Sequence, residues 1–164
     1  MILVINICKE PLHQLEFVKP IEDILTSNEI KFFTKHYKKL SQQGLNRADK
    51  VIICGTSLKD NFFIRDAKEF FWLNGFKKPV LGICGGAHII GIILKNKIKK
   101  DKEIGLKEIN LNKDFLGLFG KKQVYHLHQF VSLPEVFHKE NFYSTLFHPE
   151  VRNKEMILNF CNLS

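Results

Sequence analysis

A cysteine framed by glycines stands at Gly82-Ile83-Cys84-Gly85-Gly86, where the apolar run Pro79-Val80-Leu81 ends and the helical pattern Ile89, Ile90, Ile92, Ile93, Leu94 begins. A strand that runs out this way must turn sharply, and glycine lets neighbouring backbone come close without a side-chain clash. The turn lifts the Cys84 sulfur above the sheet edge, at the N-terminus of the next helix. Unpaired N–H groups and the helix dipole at that point favour thiolate over thiol. The pattern is a cysteine version of the nucleophile elbow. Taken alone it is also compatible with a buried Cys in a Gly-rich strand-to-helix turn.

A second segment narrows the choice. Phe147-His148-Pro149-Glu150 follows the strand-like Phe142-Tyr143-Ser144-Thr145-Leu146. A thiolate nucleophile needs an imidazole as general base and a third group to orient that imidazole. Cys84, His148 and Glu150 can fill these roles in that order. The expected geometry places a His148 ring nitrogen roughly 3–4 Å from Cys84 Sγ, with Glu150 on the far side of the ring.

With these residues in view the chain resembles the class I glutamine amidotransferases, glutaminase domains with a Cys-His-Glu triad. The resemblance covers nearly the whole length. Met1-Ile2-Leu3-Val4-Ile5-Asn6 resembles the family's first strand, and Val51-Ile52-Ile53-Cys54-Gly55-Thr56-Ser57 stands where the family has a strand ending in a Gly-rich oxyanion loop. Gly82-Ile83-Cys84-Gly85-Gly86 matches the elbow. Val131-Ser132-Leu133-Pro134, just after His126 and His128, resembles the stretch upstream of the catalytic His, and His148-Pro149-Glu150 matches the His-Pro-Glu motif. The resemblance implies a flavodoxin-like α/β fold, a three-layer sandwich around a mostly parallel sheet with a mixed edge. It further implies that Cys84 attacks the glutamine side-chain amide, His148 shuttles the proton and Glu150 orients His148. Gly55, Thr56, Gly85 and His88 then fall at substrate and oxyanion positions. Ammonia leaves, and a glutamyl thioester is hydrolysed.

The departures bear on function. The family's oxyanion loop usually carries two glycines and then proline; this chain has Gly55-Thr56-Ser57. The family often has Gln four residues after the nucleophile, where this chain has His88. The hairpin ahead of the His-Pro-Glu motif is short. The set fits an unusual glutaminase that supplies ammonia to a separate synthetase subunit, or a related amide or γ-glutamyl hydrolase, or a non-catalytic regulatory subunit. A related fold family with a Cys elbow, that of intracellular cysteine peptidases and deglycase-like proteins, lacks the terminal His-Pro-Glu motif.

Positioning these residues requires alternating strands and helices, which specify βαβ units and a parallel sheet. Strands are expected at 1–7, 29–34, 50–54, 80–83 and 142–147, and helices at 11–26, 40–46, 61–73, 87–94 and 153–160. Pro20 is a kink or a later start within the first helix. Alternation over Ile104–Leu111 and Gln123–Val131 points to antiparallel or mixed strands at one side of the sheet.

The 164 residues, 45% of them hydrophobic, fit a single domain over 1–164 with a sizeable core. No apolar run reaches the roughly 18 residues of a membrane span. With a strand starting directly at the N-terminus and no leader, a cytoplasmic location is expected. The net charge of +8 is scattered, with local clusters at 35–39 and 95–102. That distribution reads as a solvated face, with the second cluster a candidate contact for a synthetase partner, and not as a nucleic-acid site. Cys8, Cys54 and Cys161 read as free packing thiols. His126 and His128, two apart, would face one side of a strand as a metal pair. No further ligand stands at a recognisable spacing, so no metal or other cofactor is assigned and the pair is placed at the active-site rim. His88, one helical turn beyond Cys84, reaches the same pocket.

Overall fold

The apolar runs of the chain become the strands of a six-stranded sheet, and the amphipathic runs between them become the helices that cover it. The computed structural model describes residues 1–164. The first half contains β1 (Ile2–Asn6), α1 (Pro11–Phe17), α2 (Lys19–Ser27), β2 (Phe32–His36), α3 (Gln42–Arg47) and β3 (Lys50–Ile53). Next come α4 (Phe62–Arg65), a 3-10 turn over Ala67–Asn74, β4 (Val80–Ile83) and α5 (Gly85–Ile93). A long hairpin, β5 (Lys99–Phe115) and β6 (Leu118–Val131), precedes β7 (Val136–Lys139), β8 (Phe142–Thr145), α6 (Pro149–Arg152) and α7 (Lys154–Cys161).

The main sheet has the order β2-β1-β3-β4-β8-β7. Its first five strands are parallel, and β7 pairs antiparallel with β8 at the edge. β1 is buried throughout because both faces of the sheet are covered. Successive residues of β1 enter opposite cores. Ile2 and Val4 pack with Phe17, Ile21, Met156 and Phe160, on the side of α1, α2 and α7. Leu3 and Ile5 pack with Phe63, Phe70, Ile89 and Ile90, on the side of α4 and α5. The fold is therefore an α/β three-layer sandwich around a mostly parallel, mixed-edge sheet.

Several boundaries differ from the sequence reading. Pro20 falls in the first turn of α2, where its missing N–H costs nothing, so the expected single helix is two, joined at Val18. The expected strand at 29–34 starts three residues later, because Glu29 takes a left-handed φ of 56° in the turn before it. The expected helix over 61–73 breaks at Asp66 into α4 and the 3-10 turn, whose three-residue period buries Phe70 and Leu73 on one side. The alternating segments after Lys95 do not join the sheet edge. They pair with each other as a separate two-stranded sheet, and the mixed edge is made by β7.

Candidate active site

Three loops at the carboxyl ends of parallel strands β3, β4 and β8, the usual ligand side of such sheets, carry the catalytic and oxyanion candidates. Cys84 links β4 to α5 with φ 49° and ψ −97°, a conformation that a non-glycine residue adopts only when its surroundings force it. The forcing is visible in the packing. A Cβ on Gly86 would lie 2.3 Å from the Ile53 carbonyl oxygen, so only glycine lets α5 start this close to β3. The Cys84 amide donates to Thr145 O at 2.8 Å, and His88 N donates back to Cys84 O at 3.1 Å. Gly85 and Gly86 open the helix, so their amides have no acceptor within it.

His148 follows β8 and is buried. Its Nδ1 pairs with Glu150 Oε1 at 2.7 Å. Its backbone N–H donates to Tyr125 O on β6 at 2.8 Å. The other ring nitrogen, Nε2, makes no aligned hydrogen bond. Burial alone would pull the imidazole pKa down, but the Glu150 carboxylate and then the Cys84 sulfur outweigh it and hold it well above the ordinary value. Gly55 lies against both groups: a Cβ there would sit 2.6 Å from His148 Cε1 and 3.5 Å from Cys84 Cβ. Cys84, His148, Glu150 and Gly55 are thus brought together, and Cys84 Sγ donates to Leu127 O at 3.4 Å.

Thr56 and His88 line the same small cavity as Cys84 and Gly85, with His128 and Gln129 across from them. The space before the thiol holds about one water molecule. Thr56 is pinned by Oγ1 donating to Asp60 Oδ2 at 2.9 Å, and Lys9 N donates to the same oxygen at 2.7 Å. His88 stacks on Phe63 at 6.5 Å. Burial, reinforced by His128, pushes its pKa down to about 4, so the ring is neutral.

Sequence reasoning missed four contributors. Asp60 fixes the loop carrying Thr56. The Leu127 carbonyl meets the thiol, a backbone role that no residue type signals. Glu103 and Glu135 gather around His126: Oε2 of Glu103 is 2.6 Å from Nδ1, and Oε1 of Glu135 is 2.5 Å from Nε2. The pairing of Glu103 with His128 across the hairpin could be read only once the register was known.

The fold and this loop arrangement define an α/β three-layer domain with a cysteine elbow at the carboxyl end of its central parallel strands. Comparison with known proteins agrees, although no family model matches the chain. A glutamine-hydrolysing GMP synthase from Thermotoga petrophila is 30% identical over 141 residues, covering 71% of this chain and 28% of that protein. The chain thus spans about 28% of the length of the GMP synthases it matches. The imidazole glycerol phosphate synthase subunit HisH of Pelagibacter ubique is 27% identical over 172 aligned positions, covering 73% of this chain and 82% of that subunit. Among solved structures, a GMP synthase-like protein from Thermoplasma acidophilum superposes with a TM-score of 0.81 at 17% identity, over 98% of this chain and 91% of that one. A glutamine amidotransferase from Thermotoga maritima gives 0.65 at 18% identity, over 91% and 75%. The relatives and the structural neighbours are consistent with the class I glutamine amidotransferases, whose fold this chain shares.

Proposed function

We propose that this chain is a glutaminase that releases ammonia from the glutamine side chain for a separate synthetase subunit. The observation that carries the reading is the buried imidazole of His148, held by Glu150 on one nitrogen and close enough to Cys84 for the sulfur to raise its pKa. His148 carries the thiol proton while Cys84 attacks, the role of a base beside a cysteine nucleophile. Cys84 Sγ adds to the amide carbon, and the carbonyl oxygen becomes an oxyanion. Backbone N–H groups of the Gly55-Thr56 loop and of Gly85 are the donors for it. His148 gives its proton to the leaving nitrogen, ammonia departs, and a thioester remains on Cys84. His148 then takes a proton from water, which attacks the thioester and releases glutamate. Glu150 stays ionised and keeps His148 oriented throughout.

The synthetase partner is suggested by the matched relatives, a glutamine-hydrolysing synthase and a synthase subunit. The chain is matched over a minor part of the first and most of the second. A second reading, a hydrolase of another small amide, is favoured by one feature: His88 stands buried in the pocket where the family often has Gln.

The test is ammonia release from glutamine, measured with and without candidate synthetase subunits. Cys84→Ala should abolish release and keep the fold. Glu150→Gln should lower kcat less, because it removes an orienting charge and not the nucleophile. Release by Cys84→Ala at the wild-type rate would end this mechanism. Turnover of a γ-glutamyl amide with none of glutamine would favour the second reading.

A further inference from the structure

We propose that Glu103, His126 and His128 form a binding site for a divalent transition-metal ion of the Zn²⁺ class on the inner face of the β5–β6 hairpin. The register makes the cluster. His126 and His128 are two apart on β6, so both side chains leave the same face. Glu103 is directly opposite His128 on β5 and shares that face. Gly105 stands opposite His126, so no side chain competes for the space.

The donor atoms already have the right spacing. His126 Nδ1 and His128 Nε2 are 3.3 Å apart. Glu103 Oε2 is 3.5 Å from His128 Nε2 and 2.6 Å from His126 Nδ1. Bonds of about 2.0–2.2 Å in a tetrahedral site put neighbouring donors about 3.3–3.5 Å apart. Two of the three edges match that spacing, and the third must open by about 0.7 Å, from 2.6 Å. Two imidazoles and one carboxylate favour zinc and its neighbours over calcium or magnesium.

The surroundings orient the donors. Glu135 Oε1 lies 2.5 Å from His126 Nε2, behind the nitrogen that faces the cluster. Lys107 holds the other oxygen of Glu103, leaving Oε2 for the cluster. Such outer partners fix the direction of metal ligands. The two histidines are buried, whereas Glu103 borders a surface depression that also touches His126, which gives an ion a way in and an open fourth position for water. Cys84 is not a ligand, but Leu127, whose carbonyl meets its sulfur, lies between the two histidines. An ion here would fasten both strands beside that contact. This inference stands independently of the proposed reaction.

The test is calorimetric titration of the chelator-treated protein with Zn²⁺, together with the visible absorption of the Co²⁺ form. We expect one equivalent of ion, the strong absorption of four-coordinate Co²⁺ without thiolate charge transfer, and the same uptake by Cys84→Ala. Glu103→Gln and His126→Gln should each weaken binding at least about tenfold, since even outer-partner mutations cost 10–100-fold. Glu103 is partly exposed, so its variant should fold even if His126→Gln does not; circular dichroism checks both. Absence of saturable uptake by the wild-type chain would overturn the site. So would uptake lost in Cys84→Ala but kept in Glu103→Gln, which would place the ion on the thiol.

Discussion

At the scale of single residues, the thiols differ in their surroundings. Burial pushes Cys8 and Cys161 up to about 11 and holds Cys54 well above its ordinary value, so all three stay protonated near neutrality. Cys84 instead has the raised His148 beside it. Iodoacetamide at neutral pH should label Cys84 first, and peptide mass spectrometry would show it; equal labelling of Cys8 would mean Cys84 is inert. Gly55→Ala tests the approach of the loop to the imidazole. Its Cβ would lie 2.6 Å from a ring that Glu150 holds in place, so the ring or the loop must move. A displacement near 1 Å at a reacting centre costs about 10²-fold, and kcat for ammonia release should fall by that order. His88 gives a pH signature. Its pKa is about 4 in the fold against 6.5 unperturbed, so between those values the unfolded chain binds the proton that the native chain refuses. The contribution is intact above pH 6.5 and is lost as pH falls toward 4, up to about 3 kcal/mol at 1.36 kcal/mol per unit. The groups facing it are His128, whose positive charge adds to the effect, and Phe63. Urea midpoints measured across that range should fall less steeply for His88→Gln than for the wild type; parallel curves would show that His88 does not titrate this way.

At the scale of elements, the strand-to-helix turn at Cys84 depends on how closely α5 meets β3. Helix propensity alone would favour Gly86→Ala by about 1 kcal/mol. The added Cβ would meet a backbone oxygen at 2.3 Å, and backbone does not step aside. Overpacking of this kind costs about 1–3 kcal/mol, so the variant should lose stability in urea despite the better helix former. A gain in the urea midpoint would show that the turn is looser than the packing indicates. The legibility of the fold follows the same division between local and distant causes. β4 was readable to the residue because a continuous apolar run ends at a glycine-framed cysteine, a signal contained in five positions. The elements after Lys95 were readable as strands but not in their pairing, since alternation gives a face and not a partner. β7 was not anticipated, because Val136–Lys139 is too short to show a period. Glu103 was invisible as a companion of His126 and His128 because it lies 23 positions before His126, and only the register of β5 on β6 closes the gap. The helix at 61–73 looked continuous because its apolar spacing also suits the 3-10 winding that the aromatic side chains adopt.

At the scale of the whole molecule, the hairpin is tied to both halves of the candidate site. Tyr125 O receives the backbone N–H of His148 and Leu127 O receives the Cys84 thiol, two residues apart on β6. The cavity before the sulfur admits about one water molecule, too little for a glutamine side chain. Substrate entry requires the β6 segment or the Gly55-Thr56 loop to move, and the loop is pinned through Thr56 and Asp60. A partner whose binding shifts either segment would open the pocket and align the loop amides at once. The isolated chain should accordingly release ammonia slowly, and the right synthetase subunit should raise kcat by about 10²–10³, the value of one well-placed oxyanion donor. Stopped-time ammonia assays on the chain alone and in the complex decide the matter. Thr56→Gly, which frees the loop, should recover part of that gain without the partner. Full activity of the lone wild-type chain at low glutamine would show that the pocket opens by itself, and a Thr56→Gly protein as slow as wild type would move the constraint from the loop to β6.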